Sequence, residues 1–350
     1  MTQTIASKED LQEMMAVWPD VVRDITDMTK DLNNPDITKW VEKVLQYNVP
    51  KGKKNRGLSL IYAYKLLVPN DKLTQDNLYL IRILAWCMEL NITAWLMTDD
   101  IMDRSLFRRN QLCWYRCNDL GLMAITDCRL PYTIIFNIIQ KYFKEKECYI
   151  NLLELFYDIY FKTAIGQNID MLSTNFGKKP NLDLLTIDRY NSLVIYKTAY
   201  LTYIFPINAA MHLAGIKDPE MFRQIKPILL KIGHLFQVQD DYLACFGNPE
   251  ACGKDNTDIE EGKCTWLVVT ALQRATPEQR KIIEECYGRS DPEKVRRVIQ
   301  LFTDLGLPDA YSIYEKETYN LLIAKIQQIP YEALQNILQN SLQRTYKRIS

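Results

Sequence analysis

Apolar residues recur at intervals of three and four along nearly the whole chain, in segments 8–31, 55–68, 75–103, 131–145, 149–166, 187–215 and 219–246. The alternation expected of a strand is scarce, so the pattern commits the chain to helices. Further helices are expected at 263–273, 277–287, 292–305, 308–328 and 331–347, each opened by a cap residue or a proline, as at Thr276-Pro277 and Ser290-Asp291-Pro292. Only 12 Gly and 14 Pro stand among 350 residues, and 47% of the residues are hydrophobic. One large helical core with bundle-length connections follows. The clearest internal loop, near Asn175 to Pro180, has no linker composition, and neither a repeat nor a low-complexity tract is present. Residues 1–350 are therefore read as a single all-α domain.

Charge narrows the possible partners. Lys plus Arg and Asp plus Glu both number 43, which leaves no basic excess to neutralise a nucleic-acid backbone. Nine cysteines, odd in number and without a CxxC pair, sit mostly in apolar stretches such as Ala85 to Met88 and read as reduced core residues. His212 and His234 are the only histidines, too few for a His-rich zinc site, and are read as structural. The first ten residues carry neither a signal-peptide core nor transit-peptide character, and no run approaches ~18 uninterrupted apolar residues. A cytoplasmic protein without a transmembrane segment is expected.

The chemistry is concentrated in two acidic clusters. Asp99-Asp100-Ile-Met-Asp103 closes segment 75–103 and is followed by Arg108-Arg109. On a helix, Asp99 and Asp103 share one face a turn apart. Carboxylates at a helix C-terminus oppose the dipole at a cost of about 0.3–1 kcal/mol each, which bound cations would reverse. A lone DxxxD in a chain with this many acids is better explained as a solvated helix end. The second cluster, Gln237-Val-Gln-Asp240-Asp241, also follows an apolar helical run and is trailed by Lys254 and Asp258. Two acid pairs on facing helix ends could hold three Mg²⁺ ions with a diphosphate, while Arg108, Lys197 and Lys254 take the outer phosphate oxygens.

With these pieces in order, the chain resembles the trans-prenyltransferases, specifically the farnesyl diphosphate synthase family, over nearly its whole length. The resemblance rests on Tyr47 to Gly57 with Lys51-Gly52-Lys53 and Arg56, Asp99 to Asp103 with Arg108-Arg109, Cys113-Trp-Tyr, Tyr196-Lys197-Thr198, Gln237 to Asp241, Lys254 to Asp258, and Lys263 to Trp266. It implies an isoprenoid synthase-type bundle around a central cavity, three Mg²⁺ ions, a prenyl diphosphate substrate and a homodimer. By the same resemblance, Asp99, Asp103 and Asp240 are the principal metal ligands, with Asp100 and Asp241 supporting. Arg108, Lys197 and Lys254 clamp the allylic diphosphate, and Thr198 and Gln237 lie near the reacting carbons. Gly52, Lys53, Arg56 and Arg109 match the isopentenyl diphosphate pocket.

Five departures from the family pattern bear on the reaction. Ile92 stands where the family carries a Gln that holds isopentenyl diphosphate, Lys51 where it carries a Gly, Asn110 where a Gly follows the arginine pair, and Ala244 where the second motif ends in an acid. Ala94-Trp95 replaces a Phe-Phe pair. Trp95, one turn or about 5.4 Å before Asp99, is open to two readings: a cation–π surface worth roughly 2 kcal/mol, or a volume-conserving repacking. A synthase that only ionises its substrate does not need the second-substrate contacts. The departures therefore lead to the expectation of an insect-type terpene synthase, a lyase converting farnesyl diphosphate to a sesquiterpene. The alternative is a farnesyl or geranyl diphosphate synthase, and a third reading is a non-catalytic partner subunit, which the retained acids and cations oppose.

Overall fold

The computed structural model describes residues 8–30, 33–174, 179–247 and 257–346. Helices dominate as the periodicity requires, and among the described residues the strands are the two-residue pairs Phe107–Arg108 (β1) and Gln111–Leu112 (β2). Two compact units are resolved, residues 1–158 with 205–219, and residues 159–204 with 220–350.

The first unit contains α1 (Lys8–Lys30), α2 (Pro35–Asn48), α3 (Asn55–Leu67), α4 (Gln75–Met102), α5 (Ala124–Phe143), residues 149–158 of α6 (Tyr149–Ser173) and α8 (Phe205–Leu213). Thr74 opens α4 by accepting the Asn77 N–H at its hydroxyl. From Ile81 to Ala94 every residue of α4 is buried, so this helix is the centre around which α1, α3 and α5 pack. Its apolar character is that of a core helix. By length and composition α4 and segment 121–143 could each cross a membrane, but 83% of the apolar window of α4 is buried in protein. Trp86 lies 4.5 Å from Trp18, ring to ring, and donates its indole N–H to the Met14 carbonyl. Trp40 and Trp114 both donate to buried Asp127, at 2.9 Å each, which satisfies a carboxylate the core could not otherwise hold.

The second unit contains the rest of α6, α7 (Ile187–Leu193), a π-helical segment Val194–Ile204, α9 (Pro219–Phe246) and shorter helices from Asp258 to Thr345. The single helix expected over 187–215 is thus broken by a π-wound stretch. Two glycines explain how it is held. A Cβ on Gly166 of α6 would come within 2.6 Å of the Lys197 Cα, and one on Gly233 of α9 within 2.7 Å of the Ala199 Cα. Only bare backbone lets α6 and α9 approach the π segment this closely. The expected turn signals are present downstream: Thr276 forms a capping box with Gln279, and Asp291 caps the helix beginning at Pro292. None of the eight described cysteines is paired, and Cys87, Cys113, Cys128, Cys264 and Cys286 are buried.

His234 is structural, as expected. Its Nε2–H donates to Asn191 Oδ1 at 2.8 Å, which leaves Nδ1 to accept from the Tyr314 hydroxyl at 2.7 Å. Burial, aided by the charge of Lys231, pushes the ring down to about 4, so it stays neutral near pH 7.

Candidate active site

The first acidic cluster lies where the periodicity placed it. Helix α4 ends at Met102 with Asp103 as its C-cap, and the Asp103 N–H donates to the Asp99 carbonyl at 2.8 Å, which closes the turn that brings the two acids onto one face. Both side chains are part-exposed. Asp100 is buried instead, and its Oδ1 accepts from Arg108 Nε at 2.8 Å and from an Arg108 terminal nitrogen at 2.5 Å. Burial pushes the Asp100 carboxyl up and Arg108 draws it back down. The acids therefore divide: Asp99 and Asp103 are presented at the helix end, and Asp100 anchors Arg108.

The arginine pair owes its position to a tight hairpin. Arg109 and Asn110 both adopt left-handed backbone, at φ 54° and 60°, as a two-residue loop between paired strands requires. Asn tolerates that region well, so Asn110 in place of glycine leaves the turn intact. Arg109 donates to the Asn48 carbonyl at 3.2 Å and lies against Gly52, where a Cβ would meet its Nε at 2.6 Å. Gly52 has φ 102°, whereas Lys51 is not among the left-handed residues, so the conformation that needs glycine falls on the glycine that remains. The Lys51 ammonium donates to Gln111 Oε1, and Gln111 in turn donates to the Tyr47 carbonyl at 3.1 Å. Lys53 is exposed and Arg56 part-exposed in the same stretch. Ile92 and Ala94 are buried, with Ile92 only 2% accessible, and Trp95 is part-exposed. A small open cleft is bounded by Thr93, Met97, Asp100, Arg108, Arg109 and Trp114.

In the second unit Asp240 and Asp241 lie within α9, which continues to Phe246, rather than at its end. Asp240 is part-exposed and Asp241 is buried. Thr198, on the π segment, donates to Gln237 Oε1 at 2.7 Å, which orients the Gln237 amide to donate to Asp241 Oδ1 at 2.9 Å. The other Asp241 oxygen accepts the Trp266 N–H at 2.8 Å. Burial, with the charge of Asp258 added, pushes Asp241 up to about 8. Thr198, Gln237, Asp241 and Trp266 thus form one chain of hydrogen bonds locking the π segment to α9. A cavity of about 200 Å³ lies beside it, bounded by Asp241, Ala244, Cys245, Asp258, Leu267 and Phe302. Lys254 lies outside the described residues.

Sequence reading gave no role to Asp170 and none to Lys263. Asp170 is 3% exposed, and its Oδ2 accepts from Lys197 Nζ at 2.6 Å and from Lys263 Nζ at 3.2 Å. One buried carboxylate therefore gathers two ammoniums. The only local signal was an acid near the end of a helical segment that carries other charges, and its partners are 27 and 93 positions away.

The oxygen-only donors Asp99 and Asp103 in the first unit suit Mg²⁺, which takes one or two protein carboxylates and completes its shell with substrate phosphates and water, and Asp240 offers the same donor chemistry in the second unit. Among the described residues no three metal-ligating side chains cluster.

The profile described as polyprenyl synthetase matches residues 38–305. The farnesyl pyrophosphate synthase of Nezara viridula is 45% identical over 346 residues, covering 99% of this chain and 84% of that protein. That of Gallus gallus is 39% identical over 347 residues, covering 98% and 94%. Among solved structures, the T. brucei farnesyl diphosphate synthase complexed with risedronate superposes with a TM-score of 0.89 at 28% identity, covering 97% of this chain and all of that one. These relatives overturn the expectation of a terpene synthase and of a lyase. Three of the five departures on which it rested are accommodated locally: Asn110 fits its turn, Lys51 is tied to Gln111, and Ile92 is packed in the core. The chain belongs to the polyprenyl synthetase family.

Proposed function

We propose that this protein is a prenyl diphosphate synthase that joins isopentenyl diphosphate to an allylic diphosphate, with farnesyl diphosphate as the product that the relatives' names suggest. The observation that carries the reading is the arginine hairpin, where Arg108 and Arg109 are held at adjacent positions by different partners, Asp100 for one and Gly52 with the Asn48 carbonyl for the other. Two diphosphates need two such cations. Arg108, Lys197 and Lys254 are assigned to the allylic diphosphate, and Lys53, Arg56 and Arg109 to isopentenyl diphosphate.

Mg²⁺ would supply Lewis-acid stabilisation of the leaving diphosphate, and we assign three ions to Asp99, Asp103 and Asp240. Asp100 and Asp241 would be supporting acids; in the structure Asp100 holds Arg108 and Asp241 holds Gln237. As the allylic C1–O bond breaks, the bonding pair leaves with diphosphate, where Arg108 and Lys197 stabilise the growing charge. The double bond of isopentenyl diphosphate then attacks C1 through its terminal carbon, leaving a tertiary cation. A proton is lost from the CH₂ beside that cation on the diphosphate side to the departed diphosphate, so that a double bond re-forms. Thr198 and Gln237, already hydrogen-bonded to each other, would line the reacting carbons without needing to reorganise. Ile92, Ala94 and Trp95 are assigned to the pocket, with part-exposed Trp95 as its surface and Ile92 and Ala94 as buried packing.

The two compact units are read as parts of one domain, because the family match spans both. Homodimerisation is supported by α6, which leaves Ile150, Tyr157, Phe161 and Leu172 about half or more exposed along its length. Light scattering after gel filtration tests it. For the activity, purified protein with Mg²⁺, geranyl diphosphate and labelled isopentenyl diphosphate should yield a labelled longer diphosphate. No labelled product with both substrates present would overturn the reading.

A further inference from the structure

Lys54 combines three unfavourable features at one position. It has left-handed backbone at φ 51°, a conformation that a lysine adopts only under constraint. Its residue is 3% exposed although it ends in an ammonium. It also stands between Lys53 and Arg56, where further positive charge is repelled. Such a residue persists only where its surroundings over-determine it.

The surroundings do so. The Lys54 ammonium turns back beneath its own loop and donates to the carbonyls of Val49 and Lys51, at 2.6 Å each. It also lies 5.6 Å from the Trp86 ring centroid. Glu89 of α4, itself 3% exposed, comes within 3.9 Å of it and accepts the Gly57 N–H at 3.1 Å near the start of α3. Burial pushes the Lys54 ammonium down to about 8, with Glu89 drawing it back up and Arg109 adding to the fall. Glu89 likewise acts electrostatically on Arg109. A single buried carboxylate on the central helix thus fixes the two ends of the stretch 49–57, one through Lys54 and the other through the Gly57 N–H.

We infer that Lys54 and Glu89 are positioning residues for isopentenyl diphosphate, holding the 49–57 loop so that Lys53 and Arg56 meet the second diphosphate in register with Arg109. This rests on the proposed condensation reaction. Neither residue is assigned contact with substrate. They act by setting the path of the backbone that carries the residues assigned that contact, which separates the two substrates: misplacing this loop weakens isopentenyl diphosphate and leaves the allylic diphosphate, assigned to Arg108 and Lys197, unaffected.

The test compares wild type, Lys54→Gly, Lys54→Met and Glu89→Gln, measuring KM for each substrate at saturating concentration of the other, with melting temperature recorded alongside. Lys54→Gly removes the ammonium while relieving the left-handed strain, and the melting temperature shows that each variant compared is folded. Glu89→Gln keeps an acceptor for the Gly57 N–H and removes only the charge. For Lys54→Gly the KM for isopentenyl diphosphate should rise about tenfold or more, as loss of a charge-assisted bond would give, with the allylic KM within twofold of wild type. Glu89→Gln should move in the same direction by less. An unchanged isopentenyl diphosphate KM in Lys54→Gly, or equal changes in both KM values, overturns the inference while the proposed function stands. A wild type that consumes no isopentenyl diphosphate overturns the proposed function and the inference with it.

Discussion

Replacing Gly166 by alanine should damage both stability and catalysis, although in isolation it is a favourable helix substitution. In an unconstrained helix interior Gly→Ala gains about 0.8–1 kcal/mol. Here the added methyl would lie within 2.6 Å of both the Lys197 Cα and the Tyr196 carbonyl carbon, against an ordinary carbon–carbon contact of roughly 3.5–4.0 Å. Both obstructing groups are backbone and cannot rotate away. Residues 159–173 of α6 and the π segment must therefore separate by about 1 Å, at an overpacking cost of about 1–3 kcal/mol or more, which cancels or exceeds the propensity gain. The functional loss should be larger. The displaced residues include Lys197 and adjoin Thr198, whose bonds to Asp170 and Gln237 are 2.6 and 2.7 Å long and have little slack. A misplacement of about 1 Å can cost on the order of 10²-fold in rate. The assay is steady-state condensation with both substrates, paired with a thermal melt. Gly233→Ala, pressing on Ala199 from α9, should have a similar effect. Wild-type melting and turnover in Gly166→Ala would refute the claim that this close approach shapes the π segment.

Asp99→Asn and Asp103→Asn should each reduce turnover by on the order of 10²-fold or more with little change in melting temperature, since they remove negative charge from the proposed Mg²⁺ site. A Mg²⁺ titration of activity checks this. Asp170→Asn leaves two ammoniums without their shared counter-charge and should cost roughly 2–3 kcal/mol, lowering the melting temperature by several degrees and reducing kcat. A melt and kcat matching wild type would remove Asp170 from the site. For His234 the folded-state value lies near 4, below the ordinary 6.5. The unfolded chain therefore binds the extra proton first, and the stabilisation is complete above about pH 6.5. It is lost as pH falls toward 4, by up to about 3 kcal/mol. Urea unfolding at pH 7 and pH 5 should show a smaller difference in His234→Asn than in wild type.

Much of the architecture is legible along the chain because it depends on neighbours three and four positions apart. The apolar repeat of 75–103 specifies α4, and its acidic end places Asp99 and Asp103 on one face. Thr276-Pro277 and Asp291-Pro292 mark helix starts through bonds made within one turn. Arg108-Arg109-Asn110 also carries its turn locally, in residues that accept or are held in left-handed backbone. Other features depend on groups brought together from afar. The π winding of 194–204 has the same apolar periodicity as an α-helix, and what holds it is the absence of side chains on Gly166 and Gly233 of two other helices. Asp170 acquires its place from Lys197 and Lys263, and Lys54, which reads as one more surface cation in a basic stretch, is turned inward by the carbonyls of its own loop and a carboxylate on α4. The same difference misled the choice of reaction. Ile92, Lys51 and Asn110 are visible as changes of residue type, but whether a change empties a site or is absorbed by it depends on packing, turn geometry and distant partners, which only the tertiary structure supplies.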